Sequence, residues 1–219
     1  MEELLNKDRK FARFYLNAKH KWKHQANSES DEEAREQFKT NVLKQYIKAL
    51  EMRGPRRISW GKVSRCYRIS PFIIKKVFQL EKHRMSWELE ALKKLAPYPY
   101  FPKVLLIEPE NKTFYMTDVG PSIKEVRRAS LMPRNLNKQV DGLINALQTT
   151  GIFHRDLALA HIRMHNGQLA LIDFEKCWLT PEQYEEHKAA NTGTWQKLRY
   201  YDMGHIRKLI EKHCKTLYR

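Results

Sequence analysis

The strongest constraint on the fold is the turn Asn166-Gly167, which lies between two short apolar runs, residues 160–164 and 169–174. An Asn-Gly pair between apolar runs is the strongest short-range signal for a two-residue β-hairpin. Asp156 ends a His-Arg-Asp tripeptide before the hairpin, and Asp173 stands at the end of its second run. A hairpin here predicts that Asp156, on a loop, and Asp173, at a strand end, lie close together. Paired carboxylates of this kind hold a metal ion and accept a proton, so they indicate a phosphoryl-transfer site.

Composition indicates a globular and strongly basic protein. The chain has 219 residues, 42% of them hydrophobic, which is enough for one domain or two small lobes with a buried core. Its net charge of +16 favours an anionic partner, such as nucleic acid, an acidic membrane surface or a phosphorylated substrate. An inert basic surface is the alternative. No groove-reading motif supports nucleic acid, so we do not expect it as the partner.

The sequence shows no targeting segment and no cysteine framework. No apolar run reaches the length of a membrane span, and the charged N-terminus lacks the apolar core of a signal peptide. The three cysteines, Cys66, Cys177 and Cys214, share no close spacing, so neither a disulfide framework nor a zinc site is indicated. We therefore expect a cytoplasmic protein.

Two helices are predicted before the first strand. In residues 1–26, apolar residues recur at steps of three and four, while lysine and arginine occupy much of the remaining surface. The stripe consists of Phe11, Phe14, Tyr15, Ala18 and Trp22. A basic amphipathic helix of this kind can lie in a membrane interface; alternatively, its stripe packs on the protein's own core. A capping box that begins at Ser30 predicts a second helix, which extends to about Met52.

From Arg56 the apolar pattern changes to a period of two, which predicts an antiparallel sheet. The predicted strands span residues 58–64, 65–69, 72–80, 103–107 and 113–117, with a helix at 86–95. A linker at residues 118–121 leads to a helix that ends at Gly151, just before the hairpin region. Two further helices are predicted over residues 180–190 and 196–217.

The order of these features resembles that of the protein-kinase-like fold over roughly residues 56–180. The shared features are three strands with a lysine on the third, a helix with a glutamate, two strands, a linker, a helix, a His-Arg-Asp loop and an Asp-Phe strand end. The resemblance implies an α+β, protein-kinase-like fold of two lobes. Its expected parts are an N-terminal helical extension over residues 1–54, an N-lobe of antiparallel sheet and one helix over 55–118, and a short, mainly helical C-lobe over 119–219.

The resemblance also implies residues that bind ATP. Lys75 matches the third-strand lysine that contacts the phosphates, and Glu88 matches the helix glutamate that pairs with it. Their neighbours Lys76 and Glu90 compete for these roles. Strand alternation directs Lys75 and Lys76 to opposite faces, so one of the two lysines can enter the cleft.

Two further parts of the expected nucleotide site are the hinge and the loop that covers the phosphates. The backbone of Asp118 and Gly120 is expected to bond the adenine edge. The loop contains a single glycine, Gly61, in place of a Gly-x-Gly-x-x-Gly run. A backbone with Cβ atoms cannot approach phosphates as closely, so Lys62 and Ser64 are expected to donate to them instead.

In the C-lobe, the resemblance makes Asp156 the residue that accepts the proton of the substrate hydroxyl, and Asp173 the ligand of Mg²⁺. His161 stands where an asparagine is expected, and Glu175 where a glycine follows the Asp-Phe pair. His161 is interpreted as a further metal ligand, with a hydrogen bond to a phosphate or a place in the core as alternatives. Glu175 is either a second metal ligand or the partner of Lys176.

These two departures, in the run Ile-Asp-Phe-Glu-Lys-Cys, make the chain similar to the lipopolysaccharide core kinases, which phosphorylate Kdo or heptose on a membrane-anchored glycolipid. The resemblance implies an ATP- and Mg²⁺-dependent kinase that acts on a sugar hydroxyl of the inner core. The chain after Asp173 is short and lacks an Ala-Pro-Glu motif, so a sugar acceptor is favoured over an extended peptide. The positive charge then favours peripheral contact with the anionic inner face of the cell membrane.

Two alternatives stay open within this interpretation. A small atypical protein kinase shares the same motifs. A catalytically weak, pseudokinase-like binding protein is consistent with His161, Glu175 and the single-glycine loop. ATP turnover by the wild type and by Asp156→Ala distinguishes an enzyme from a binding protein.

Overall fold

The computed structural model describes residues 1–23, 32–60, 63–79, 82–127, 132–180 and 196–217. Its fold is mixed α+β, as the sequence predicts. The helices are α1 (Glu2–Lys7), α2 (Arg9–Lys23), α3 (Glu32–Glu51), α4 (Lys82–Lys94), α5 (Leu136–Thr150) and α6 (Gln196–Leu217). The strands are β1 (Arg56–Trp60), β2 (Ser64–Ser70), β3 (Ile73–Phe78), β4 (Val104–Glu108), β5 (Thr113–Thr117), β6 (Ile162–His165) and β7 (Gln168–Leu171). Short 3₁₀ helices lie at Pro109–Asn111 and Ile123–Glu125.

Strands β1 to β5 form one antiparallel sheet in the order β1-β2-β3-β5-β4. The predicted five-stranded antiparallel sheet is confirmed, although the ends of the strands differ; β1, for example, begins earlier, at Arg56. β3 lies in the centre of the sheet, between β2 and β5. Its side chains alternate, so Ile73 and Lys75 belong to one face, and Ile74 and Lys76 belong to the other.

Residues 1–80 and 104–118 form a first compact unit. One face of the sheet is buried against the N-terminal helices, in a core that includes Phe11, Leu43, Ile47, Ile73 and Tyr115. Full burial of an apolar side chain of this size contributes about 1.5–3 kcal/mol. The N-terminal helices therefore contribute directly to the stability of the sheet.

The aromatic stripe of α2 lies in this core. Phe11 is fully buried, and Phe14, Tyr15 and Ala18 pack against the same cluster. The side chain of Trp22 lies outside the described part of the structure. Of the two alternatives for this stripe, the structure shows the one in which it packs on the protein's own core.

The single helix predicted over residues 1–26 is wrong, because the structure divides it at Asp8. Oδ1 of Asp8 accepts hydrogen bonds from the backbone N–H groups of Lys10 and Phe11, at 3.0 and 3.2 Å, and so caps the start of α2. Oδ2 accepts from the Tyr46 hydroxyl at 2.9 Å. The carboxylate satisfies N–H groups that a helix end leaves unpaired, which stabilises the break. The capping box predicted at Ser30 lies outside the described residues.

Residues 81–103 and 119–219 form the second compact unit. In it, α5 packs on β7 and α6 packs on α5. The buried side chain of Gln139 fixes α5 to the hairpin: Nε2 donates to the Gly167 carbonyl at 2.7 Å, and Oε1 accepts from the Leu169 N–H at 2.7 Å. The helix α4 also belongs to this unit. The sequence-based division at residues 54 and 118, with that helix in the N-lobe, stays a prediction, since compactness alone does not define a lobe.

The predicted hairpin is present as β6 and β7, which pair antiparallel up to His165 and Gln168. Asn166 and Gly167 have positive φ angles of 49° and 74°. A two-residue turn of type I′ requires positive φ at both positions, which asparagine and glycine tolerate best. Within the described part of the chain, no helix is both long enough and apolar enough to cross a bilayer.

Candidate active site

The loop that carries Asp156 begins where α5 ends. Gly151 ends this helix in the left-handed conformation, with a φ of 69°, which glycine adopts without strain. Two residues later, Phe153 and Trp178 exchange two backbone N–H to carbonyl hydrogen bonds, of 3.0 and 2.9 Å. This bridge places the segment that contains Asp156 beside the segment that follows the hairpin.

The imidazole of His154 is fully buried and hydrogen-bonds both of these segments. Nε2 donates to the Ile172 carbonyl at 2.8 Å, and Nδ1 accepts from the backbone N–H of Asp156 at 3.3 Å. Because Nδ1 accepts a hydrogen bond, the ring is neutral, and burial lowers the pKa of His154 to about 4. The Phe174 ring lies against it, with the centroids 4.7 Å apart. His154 therefore fixes the Asp156 loop to the end of the hairpin.

Asp173 follows β7 with an unusual backbone conformation. Its φ of 75° is uncommon for a residue with a Cβ atom. Residues on both sides hold this conformation: the Ile172 N–H donates to the His161 carbonyl at 3.1 Å, and Phe174 is fully buried. Strained backbone that the surrounding structure maintains is concentrated at functional sites.

The side chains of Asp156, His161 and Asp173 lie together in the second unit. One ligand atom of each lies within 4.8 Å of those of the other two, and all three residues are partly exposed. The structure thus brings the two acids together, as the hairpin predicts, and it adds His161 to them.

The ring of His161 has a defined orientation between the two acids. Nδ1 lies 2.6 Å from the Asp156 carbonyl oxygen, and Nε2 lies 3.4 Å from Oδ2 of Asp173. Because a carbonyl oxygen only accepts, Nδ1 carries the proton. In the neutral ring, Nε2 then presents a lone pair to a carboxylate oxygen, and two acceptors repel each other. A proton on Nε2 or a cation between the two groups removes this repulsion.

Asp173 also belongs to a second group, with Glu88 of α4 and with Glu175. Their carboxylate oxygens lie within 4.8 Å of one another. Glu88 and Glu175 are only 1% and 7% exposed. The sequence predicts Glu88 as the partner of Lys75 and leaves the role of Glu175 open, whereas the structure places both beside Asp173.

Two sets of donor atoms therefore share Asp173. The set with Glu88 and Glu175 offers carboxylate oxygens alone, which suits a hard ion such as Mg²⁺. The set with Asp156 and His161 adds an imidazole nitrogen, which suits a transition-metal ion better than Mg²⁺. The residues fit a divalent cation, with Asp173 as the common ligand.

Lys176 contacts Asp156, with Nζ 2.8 Å from Oδ2. From the sequence, Lys176 is only one possible partner of Glu175, and its contact with Asp156 is not predicted. The two residues are far apart in sequence, and their contact depends on the Phe153–Trp178 bridge. The bridge itself has no local sequence signal, which is why the pairing escaped prediction.

No protein-family model matches this chain, and no curated protein sequence shows significant similarity to it.

Lys75 of the first unit has a different partner from the one predicted. Its Nζ lies 2.7 Å from Oε1 of Glu51 and 5.7 Å from the centroid of the Tyr115 ring. The predicted partner was Glu88. Lys75 lies on the face of the sheet that packs against α3, since Tyr115 belongs to that core. Lys76 is almost fully buried and belongs to the opposite face.

The structure restricts how the remaining predicted residues can bind a nucleotide. The N–H of Asp118 donates to the Phe72 carbonyl at 2.8 Å, and the Asp118 carboxylate accepts from Nε of Arg68 at 2.6 Å. The Gly120 carbonyl accepts from Nε of Arg163 at 2.8 Å. An adenine ring therefore cannot accept from the Asp118 N–H without displacing its bond to Phe72, whereas the Gly120 carbonyl has a second lone pair. The predicted phosphate contact of Lys62 lies outside the described residues.

Proposed function

We propose that the protein is an ATP-dependent phosphotransferase with an alcohol group as its acceptor, built on a protein-kinase-like fold. The observation that carries this proposal is the group formed by Asp156, His161 and Asp173, with ligand atoms within 4.8 Å of one another. A proton acceptor next to a cation-binding carboxylate is the minimum that phosphoryl transfer from ATP requires, since positioning and charge stabilisation supply most of the catalysis.

In this proposal Asp156 accepts the proton of the acceptor hydroxyl. Its side chain is 38% exposed, so an acceptor can reach it. The backbone of Asp156 is held by His154 and His161, which limits the positions that the carboxylate can adopt. A divalent ion, when bound, neutralises charge on the phosphates and helps to orient them.

Asp173 is the central ligand of that ion in either donor set. Together with Glu88 and Glu175 it offers the oxygen ligands that Mg²⁺ prefers. His161 is proposed as a further ligand, because its Nε2 faces Asp173 with a lone pair in the neutral ring. The carboxylate set favours Mg²⁺ and the set that includes His161 favours a transition-metal ion. The metal preference of the protein therefore indicates which set binds the ion.

The role of the phosphate-binding lysine is assigned to Lys76 in this proposal. Lys75, the residue first predicted, is held by Glu51 on the face of the sheet that carries α3. Strand alternation gives Lys76 the other face. The support for Lys76 is the engagement of Lys75 by Glu51, together with the resemblance.

The acceptor is proposed to be a sugar hydroxyl of Kdo or heptose in the lipopolysaccharide inner core. The resemblance supports this acceptor, and the charge of +16 fits its anionic glycolipid and an anionic membrane surface. Part of this positive charge lies on the exposed side of α2, which forms a basic face. This face comprises Arg9, Lys10, Arg13, Lys19 and Lys21. Peripheral contact with the inner face of the membrane is part of the proposal, and nucleic acid is not.

The experiment that tests the proposal is acceptor-dependent formation of ADP by the purified protein. Lipid acceptors with one and two Kdo residues, heptose-containing core and a mixed protein substrate should be compared in the presence of Mg²⁺ or Mn²⁺. We expect turnover with a sugar acceptor, reduced at least about 1,000-fold in Asp156→Asn, since that change removes the proton acceptor. Asp141→Asn, a change to an exposed acid on α5, is the matched control and should retain full turnover.

A binding protein without turnover is the second candidate. The contact of Lys176 with Asp156 favours it, because the carboxylate is already engaged by a cation. This candidate predicts nucleotide binding by the wild type, with no phosphate transfer to any acceptor and no difference in turnover between the wild type and Asp156→Asn. Transfer to protein rather than to sugar would favour a small atypical protein kinase.

A further inference from the structure

We infer that Lys176 is a catalytic cation that contacts Asp156 in the free protein and the transferred phosphoryl group in the substrate complex. This inference rests on the proposed phosphotransfer function and gives Lys176 a role that is assigned to it neither by the sequence pattern nor by the resemblance. It is carried by the short contact between Lys176 Nζ and Asp156 Oδ2, at 2.8 Å.

The backbone that carries Lys176 is rigid. The Cys177 N–H donates to the Phe174 carbonyl at 3.0 Å and closes a tight turn with Lys176 inside it. Phe174 and Cys177, on the two sides of this turn, are 0% and 1% exposed. Trp178 follows directly and forms the bridge to Phe153. The turn is therefore held at both ends.

Two neighbouring arginines strengthen the turn through its carbonyl groups. Nη1 of Arg155 donates to the Lys176 carbonyl, and Nη1 of Arg84 donates to the Glu175 carbonyl, both at 3.4 Å. The Arg155 guanidinium also lies 3.9 Å from the centroid of the Trp178 ring, in a cation–π contact. These arginines position the turn, whereas Lys176 directs its charge to the carboxylate of Asp156.

The side chain of Lys176 is able to exchange partners. It is 44% exposed, and the side chain of Asp156 is 38% exposed. Ion pairs exposed to this degree gain little over the separately hydrated charges. A phosphate with two negative charges can therefore replace the carboxylate as the partner of Nζ, while the rigid turn keeps the ammonium close to Asp156.

The chemistry of transfer gives such a cation a defined role. The acceptor oxygen forms a bond to the γ-phosphorus while the bond from phosphorus to the leaving oxygen of ADP breaks, and Asp156 takes the hydroxyl proton. Negative charge on the three equatorial oxygens persists through this step. The positive charge of Lys176 stabilises that negative charge, and the departure of Lys176 from Asp156 leaves the carboxylate able to accept the proton.

Kinetics of Lys176→Met, Lys176→Ala and Lys176→Arg test this role. We expect kcat to fall about 100-fold in the methionine and alanine variants, the usual effect of removing one transition-state donor, and the KM for ATP to rise about tenfold, because the same ammonium contacts the γ-phosphate in the substrate complex. Lys176→Arg should retain part of the rate, because it keeps the charge. Lys138→Ala is the matched control: it removes an exposed lysine on α5 of the same unit and should leave kcat unchanged.

Binding of nucleotides gives a readout that does not depend on turnover. With Mg²⁺ present, Lys176→Met should bind the ATP analogue AMP-PNP about tenfold more weakly than the wild type does, and ADP equally well, because only the analogue carries a γ-phosphate. A role in folding alone would weaken both nucleotides or neither. Calorimetric titration of the folded variants measures both affinities.

The outcomes separate this inference from the proposed function. If Lys176→Met retains the wild-type kcat and the wild-type preference for AMP-PNP over ADP, Lys176 does not have this role. The proposed phosphotransferase function is not affected by that result. A wild type that binds neither nucleotide overturns both. If the wild type binds nucleotides without turnover, the change in AMP-PNP affinity alone decides whether Lys176 contacts the γ-phosphate.

Discussion

Lys75 of β3 and Glu51 of α3 form an ion pair within the first unit, with Nζ 2.7 Å from Oε1. The Tyr115 hydroxyl lies 3.2 Å from an oxygen of Glu51 and 3.2 Å from one of Glu108, so it can donate to either. Burial, together with these two acids, raises the pKa of Tyr115 far above its usual value, so the phenol stays protonated and acts as a donor. The group joins α3 to the sheet through polar contacts.

Replacement of Lys75 by methionine is expected to affect stability rather than ATP binding. The free energy of unfolding should fall by about 1–3 kcal/mol, because Glu51 loses a charged hydrogen-bond partner. The same replacement at Lys76 should raise the KM for ATP at least about tenfold. Urea unfolding and ATP titration of the two variants measure these effects, and the opposite pattern would return Lys75 to the phosphate role.

Replacement of His161 by asparagine is expected to change the metal preference. An amide oxygen is a harder ligand than an imidazole nitrogen, so the ratio of kcat/KM with Mg²⁺ to kcat/KM with Mn²⁺ should rise about tenfold. His165→Asn, a change on the hairpin outside the Asp156 group, serves as the control. Equal ratios in the wild type and His161→Asn would show that His161 does not touch the ion.

Stability is expected to fall in mild acid because of His154. The unfolded chain protonates this residue near pH 6.5, while the folded protein, with a pKa of about 4, does not. The neutral ring therefore contributes stability that is lost as the pH falls from about 6.5 towards 4. Between pH 7 and pH 5 the loss from this residue is about 2 kcal/mol.

A comparison with His154→Gln isolates this contribution. Glutamine can both donate and accept but does not titrate, so the variant should lose about 2 kcal/mol less than the wild type over the same pH interval. Urea unfolding at the two pH values measures the difference. Identical losses in the two proteins would mean that the pKa of His154 is the same in the folded and the unfolded chain.

Substitution of Gly120 by alanine is expected to destabilise the second unit strongly. An added Cβ would lie 2.4 Å from the Met164 carbonyl oxygen, and the φ of 88° is unfavourable for alanine. The free energy of unfolding is expected to fall by about 3 kcal/mol or more. This figure combines the cost of backbone strain with the cost of shifting the β6 backbone away from the added Cβ. Gly167→Ala has a similar φ of 74° with no atom within 4 Å, so it isolates the strain alone, about 1 kcal/mol. Thermal unfolding of the two variants gives the difference.

The five strands and the hairpin could be predicted because their signals are local. Alternation defines each strand within five to seven residues, and the Asn166-Gly167 turn determines which residues pair across the hairpin. The closeness of Asp156 and Asp173 follows from the hairpin. The prediction failed at Asp8, where a polar residue interrupts an otherwise helical pattern and caps the helix that follows it.

Which of Lys75 and Lys76 faces the N-terminal helices could not be predicted, for a different reason. Alternation shows that the two lysines lie on opposite faces, but not which face the N-terminal helices cover. That depends on how α3 packs, and its partner for Lys75 is Glu51, far away in the sequence. The contact of Lys176 with Asp156 could not be predicted for the same reason, since it depends on the bridge between Phe153 and Trp178, which are distant in the sequence.

The bridge between Phe153 and Trp178 also couples the two segments of the site, so that they open and close together. One of the two segments that it joins carries Asp156, the proposed proton acceptor, and the other carries Asp173 and Lys176, so an opening of the bridge separates Asp156 from both of them at once. Amide hydrogens of Phe153 and Trp178 should then exchange with solvent at one common rate. With the bridge closed the proposed site is complete, and with the bridge open it is lost. No partly assembled form would then bind nucleotide without its proton acceptor.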